Sequence, residues 1–171
     1  MATSRRHDSR GGPGVEGGNV RAARAVALDS LARRDRSSED LRRRLIDKGF
    51  DAEVARGVVE RLCAEKLLDD RRFVENFVSF HAARGQGPLR IRAELRRSGT
   101  LPELVEQAIE AYPAWVTQLR KAHQKKFGTQ LPSDFAEKHR RGRFLMARGF
   151  TGAQIRLALG FDIDLDEDVT L

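Results

Sequence analysis

Asp69-Asp70 is an adjacent carboxylate pair of the kind that can bind a divalent cation, and His81, His123 and His139 are the imidazoles that could join it in a metal set. The pair stands just before a helical apolar stripe beginning at Phe73. Acids there serve a helix N-terminus, capping free N–H groups and facing the positive end of the helix dipole. The histidines are scattered singly and take no role. Cys63 lies in an apolar run and is expected to fill a core; a single cysteine excludes both a disulfide framework and a Cys-based zinc cluster. No GxxxxGK[ST] loop, HExxH helix or GxSxG elbow occurs, so nucleotide hydrolysis, zinc proteolysis and serine hydrolysis lack their positioned groups. The expectation is a protein that is not an enzyme and uses no cofactor or metal.

The remaining chemistry is cationic. The 171 residues carry 32 Lys plus Arg against 25 Asp plus Glu, and the excess is uneven. Residues 113–161 hold ten bases and two acids, a net charge of +8, while 20–70 and 71–112 stand at +1 and +2. Such a density attracts a polyanion by counterion release, although Arg stems on a solvated face would give the same composition. The candidate DNA-contacting residues are Arg42, Arg43, Arg44, Arg90, Arg92, Lys121, Lys125, Lys126, Arg140, Arg141, Arg143 and Arg148. Arg42–Arg44 lie between core positions Leu41 and Leu45 and must point outward, either to a ligand or into a salt-bridged surface. Replacing Arg140, Arg141 and Arg143 with Ala is expected to weaken binding with the fold intact.

The elements that position these bases are legible from spacing. Apolar residues recur at helical intervals (Val20, Ala23, Ala27, Leu31; Leu41, Leu45; Val54, Val58, Leu62; Phe73, Phe77, Phe80), and no stretch alternates with period two. The fold class is therefore all-α. LRRRLIDKGF (41–50), IRAELRRSGT (91–100) and RGRFLMARGF (141–150) superpose without a gap, which sets a period of 50 residues and aligns Leu45, Leu95 and Leu145, then Gly49, Gly99 and Gly149. Each Gly ends its helix by taking the left-handed conformation that residues with a Cβ enter only at a cost. The register continues through Val58, Ala108 and Ala158 and through Val59, Ile109 and Leu159. The spacing predicts three tandem three-helix repeats in an elongated, curved array: 20–70, 71–112 and a basic 113–161, preceded by a disordered Gly-rich leader (1–19) and followed by an acidic tail (162–171). The tail could fold back on the basic repeat or serve only solubility. Ser37, Ser133-Asp134, Pro102 and Pro113 suit helix starts, and Gly87 and Pro88 separate the fourth helix from the fifth.

Aromatics do not suggest a base-stacking platform, because Phe73, Phe77 and Phe80 share a stripe expected to pack inward. Nucleic-acid contact should then be weak, mainly to phosphate, and indifferent to sequence. No apolar signal-peptide core and no apolar span of eighteen residues occurs, which points to the cytoplasm rather than export or a membrane.

Arg34-Asp35-Arg36-Ser37-Ser38-Glu39-Asp40-Leu41 leading to Lys48-Gly49-Phe50, then Leu68-Asp69-Asp70-Arg71-Arg72-Phe73, then Gly87-Pro88-Leu89-Arg90-Ile91 with Glu94-Leu95, resemble the RecX family of RecA regulators. Lys126-Phe127-Gly128, Arg143-Phe144-Leu145 and Arg148-Gly149-Phe150 extend the resemblance, which covers about residues 20 to 160. Ser98-Gly99-Thr100 departs from the commoner Lys-Gly pair. The resemblance implies a modulator that binds the RecA filament on single-stranded DNA and lies in its groove; the chain is expected to be a monomer. It would block extension or promote disassembly, limiting strand exchange, ATP hydrolysis and co-protease activity in recombinational repair and the SOS response. The family defines no catalytic constellation. From the residues alone two other readings stay open: a helix-turn-helix DNA-binding protein acting without RecA, and a helical-repeat adaptor that never touches nucleic acid.

Overall fold

The computed structural model describes the backbone of residues 13–160 and the side chains of 19–160, and every regular element among the described residues is an α-helix. The helices fall into two compact units that divide between Asp69 and Asp70.

In the first unit α1 (Pro13–Arg33), α2 (Ser38–Asp47) and α3 (Ala52–Ala64) enclose one core. Ser37 caps α2 by accepting the Asp40 N–H, and Asp51 caps α3 by accepting that of Glu53. Ala23 and Ala27 of α1 let the helices approach, and Leu41, Leu45, Val58 and Leu62 fill the interior. Arg24 of α1 donates two hydrogen bonds to Glu65, just past α3, at 3.1 and 2.6 Å. Helix α1 begins at Pro13, inside the stretch expected to be a disordered leader. A helix anchored by its packed residues extends N-terminally at little cost, and proline suits a first-turn position. Residues 1–12 and the acidic 162–171 lie outside the described residues.

The second unit holds two more triplets. The first comprises α4 (Asp70–Ala83), α5 (Pro88–Arg97) and α6 (Pro102–Ala111); the second comprises α7 (Trp115–Phe127), α8 (Phe135–Ala147) and α9 (Gly152–Leu159). Val74, Val78, Ile91, Leu95, Val105 and Ile109 form one core, and Leu119, Leu145, Phe150 and Ile155 the other. Trp115 packs against both and donates its indole N–H to the Ile109 carbonyl at 3.0 Å.

The 50-residue period recurs at atomic detail. Gly49, Gly99 and Gly149 adopt φ of +91°, +77° and +88°. After each, the following residue returns its N–H to the aligned leucine's carbonyl: Phe50 to Leu45, Thr100 to Leu95 and Phe150 to Leu145, at 3.1, 3.4 and 3.2 Å. Those three leucines are fully buried.

Gly87 and Gly149 meet across the second unit. Gly87 donates its N–H to the Arg148 carbonyl at 2.7 Å and Leu89 to that of Gly149 at 3.0 Å, so the turn before α5 is stitched to the turn after α8. A Cβ on Gly87 would lie 2.2 Å from the Gly149 and Phe150 backbone. The contact admits no side chain on Gly87.

Three expectations need correction. Cys63 is exposed, because Leu62 takes the inward position and the next residue lies about 100° further round the helix. Phe80 is 56% exposed: the core-facing stripe of α4 is Val74, Val78 and Ala82, with Phe73 and Phe77 only flanking it. Pro113 precedes α7 by two residues and lies outside the helix, whose N-cap is Ala114.

Candidate nucleic-acid interface

Helix α7 carries Arg120, Lys121, Lys125 and Lys126 and no acid. Lys121 and Lys125 stand four residues apart on one face, a like-charge spacing that costs an isolated helix roughly 0.2–0.5 kcal/mol. Arg120 turns away and donates from Nε to the Ala158 carbonyl at 3.0 Å, pinning α7 to the end of α9. The lysine face is thereby fixed toward the turn that follows α4.

That turn brings further bases. Gly85, at φ +79°, approaches α7 closely enough that a Cβ on it would meet the Ala122 Cβ at 3.2 Å. Between the two elements lies a cleft of about 280 Å3 whose wall includes Arg84, Gln118, Lys121, Lys125, Lys126, Phe144 and Arg148 and, among the described residues, contains no carboxylate. Arg148 donates from Nη1 to the Gly85 carbonyl at 3.4 Å, and its guanidinium lies 4.7 Å from the Phe144 ring centre. Its Nε is buried and has no acceptor among the described residues. Five cations around one cleft concentrate positive potential where water is partly excluded.

The other bases expected from sequence are placed differently. In the first unit Arg42 forms a paired contact with Glu39 at 2.8 and 2.9 Å, and Arg43 approaches the same carboxylate at 3.5 Å; Arg44 is exposed. The Arg42 hydrogen bond holds Glu39 below the usual carboxylate range. In the second unit Arg92 is bound by Glu106 at 2.7 Å through two nitrogens, which likewise lowers Glu106. Arg90 pairs with Glu94 at 3.0 Å yet faces the depression beside the lysine cleft. Arg143 is exposed on α8.

Arg140 and Arg141 line another depression, which has Asp134 and Glu137 in its wall. Both guanidiniums hydrogen-bond Glu137, Arg140 at 2.8 Å and Arg141 at 2.7 Å, and hold its carboxyl at about 2. Arg141 is 9% exposed and also donates to the Gln130 carbonyl at 2.6 Å and to His123 Nε2 at 3.2 Å. The sequence reading puts Arg141 on the surface; it is instead part of the interior that ties α7, the following loop and α8 together. His123, expected to be without partners, is buried beside it. Burial lowers its basicity and the Arg141 charge lowers it further, so at neutral pH it is an uncharged acceptor. His81 is also engaged, 2.8 Å from Gln86 through Nδ1 and stacked on Phe77.

The cleft therefore gathers Lys121, Lys125, Lys126 and Arg148 from the expected set, with Arg90 adjoining. Sequence reasoning missed Arg84. Its signal is faint: a base directly ahead of Gly85-Gln86-Gly87-Pro88, at the foot of a helix. Among the described residues no group of three His, Cys, Asp or Glu side chains is placed to hold a metal, and no helix is long and apolar enough to cross a membrane.

Three models of the RecX family match in order: the first three-helix domain over residues 23–62, the second over 69–109 and the third over 116–159. The chain is 39% identical over 147 residues to "Regulatory protein RecX" of Halorhodospira halophila, covering 85% of this chain and 91% of that protein. It is 41% identical over 130 residues to the protein of the same name from Pseudomonas syringae pv. tomato, covering 75% and 84%. The fold is similar to the crystal structure of RecX from Lactobacillus salivarius, with a TM-score of 0.73 at 17% identity over 84% of this chain and 96% of that one.

Proposed function

The chain belongs to the RecX family of regulatory proteins, and on that premise we propose that it binds the RecA filament on single-stranded DNA and restrains it. The observation that carries the proposal is the cleft of the second unit, without a carboxylate among the described residues, where Arg84, Lys121, Lys125, Lys126 and Arg148 converge. Its bases would contact phosphate rather than base edges, so DNA binding should be salt-sensitive and indifferent to sequence. In this reading the protein acts as a monomer in the cytoplasm, without cofactor or catalysis, by competing for the nucleoprotein surface on which RecA extends and exchanges strands.

The test is RecA's ATP hydrolysis on single-stranded DNA, measured with the wild-type chain and with a Lys121→Ala, Lys125→Ala, Lys126→Ala variant. The wild type should lower the rate and the variant should lose most of that effect while melting at the same temperature, since all three side chains are exposed. An unchanged rate with wild-type chain would refute the reading. DNA binding that persists without effect on RecA would leave a plain DNA-binding protein.

A further inference from the structure

Beside the lysine cleft lies a second depression of about 500 Å3, within the roughly 300–1,000 Å3 typical of small-ligand sites. It shares Arg84, Phe144 and Arg148 with the cleft, adds Phe80 and Arg90, and again has no carboxylate in its wall among the described residues. The walls are aromatic rings paired with guanidiniums. Arg84 lies 4.8 Å from the Phe80 ring centre and Arg148 4.7 Å from that of Phe144. Phe80 is 56% exposed although α4 has a complete apolar stripe without it.

We propose that this depression receives an unstacked base of a single-stranded nucleic acid whose phosphates run along the adjoining lysine cleft. The inference rests on the reading of that cleft as a nucleic-acid interface. A flat, electron-rich ring can stack on an exposed phenylalanine and meet guanidinium donors at its edge, and this is how single strands are held without sequence readout. Bases stacked and paired inside a duplex cannot enter. An acidic peptide would answer the charge of the site but leave its exposed aromatic face unused.

The experiment measures binding of the full chain to three labelled probes: an oligo-thymidine, an abasic strand of equal length, and a duplex of equal length. The oligo-thymidine should bind about tenfold more tightly than the abasic strand. Phe80→Ala should abolish that difference without changing abasic affinity, and Phe80→Trp should retain it, with fluorescence quenching beyond that of the wild type. Equal affinity for the first two probes, or equal weakening of both by Phe80→Ala, would overturn the base site and leave the phosphate cleft standing. Failure to bind any probe would remove the cleft reading, and the base site with it. A Glu-rich peptide that outbinds the oligo-thymidine and loses its advantage in Phe80→Ala would assign the depression to an acidic partner.

Discussion

Arg140 and Arg141 are adjacent, equally charged and both bound to Glu137, Arg140 through two hydrogen bonds and Arg141 through one, yet only Arg141 is part of the interior. Arg141→Ala removes the donor to the Gln130 carbonyl and to His123, and should cost about 2–3 kcal/mol in chemical denaturation, while Arg140→Ala should leave the midpoint nearly unchanged. Sequence could not separate them, because an Arg stem suits either an apolar or a wet environment and only the tertiary course of the 128–134 loop supplies the Gln130 carbonyl acceptor. His123 gives the same node a pH dependence. Its folded basicity lies below the ordinary value of 6.5, so as pH falls below 6.5 the unfolded chain takes up a proton that the folded chain refuses, and stability declines. Glu137 extends the decline: its stabilising effect is complete above 4.5 and is lost as pH falls toward 2. Thermal melts between about pH 7 and pH 5 should show the histidine's part, and His123→Gln, which keeps an acceptor for Arg141, should flatten it.

At the scale of elements, the repeat was the most legible feature. Leu45, Leu95 and Leu145 and the glycines four residues beyond them are aligned in sequence because each closes the second helix of a triplet in the same way, and local chemistry suffices to do it. Gly87 was legible only as a separator. Its real constraint is the backbone of Gly149 and Phe150, 62 and 63 residues away, which no local pattern encodes. Two alanine substitutions distinguish these roles. Gly49→Ala meets nothing within 4 Å and should cost only the left-handed strain, about 1–2 kcal/mol. Gly87→Ala forces a methyl group into backbone and should cost about 3 kcal/mol, the upper end for overpacking. It should also weaken DNA binding although no charge is altered, because it separates the turns that shape the cleft. Equal costs in calorimetry would show that the two turns are not stitched as described.

For the whole molecule, charge balance located the basic third repeat but not its partner surface. Ten bases against two acids mark residues 113–161, and the cleft uses three lysines and one arginine of that set. Arg84 comes from a repeat of nearly neutral charge, and its convergence with Lys121 depends on how two triplets dock, which composition does not record. Removing the three lysines should reduce the salt slope of single-strand binding by about 2, near 0.7 for each phosphate that is no longer neutralised. The central claim, that this cleft lets the chain restrain RecA, is tested most directly by following the length of single RecA filaments on single-stranded DNA in real time, with the chain added at a few molecules per filament. Wild-type chain should halt growth or cause net shortening, and the Lys121, Lys125 and Lys126 triple alanine variant should let filaments grow as they do alone. Filaments that grow unchanged with the wild type, or that the variant arrests equally well, would contradict it.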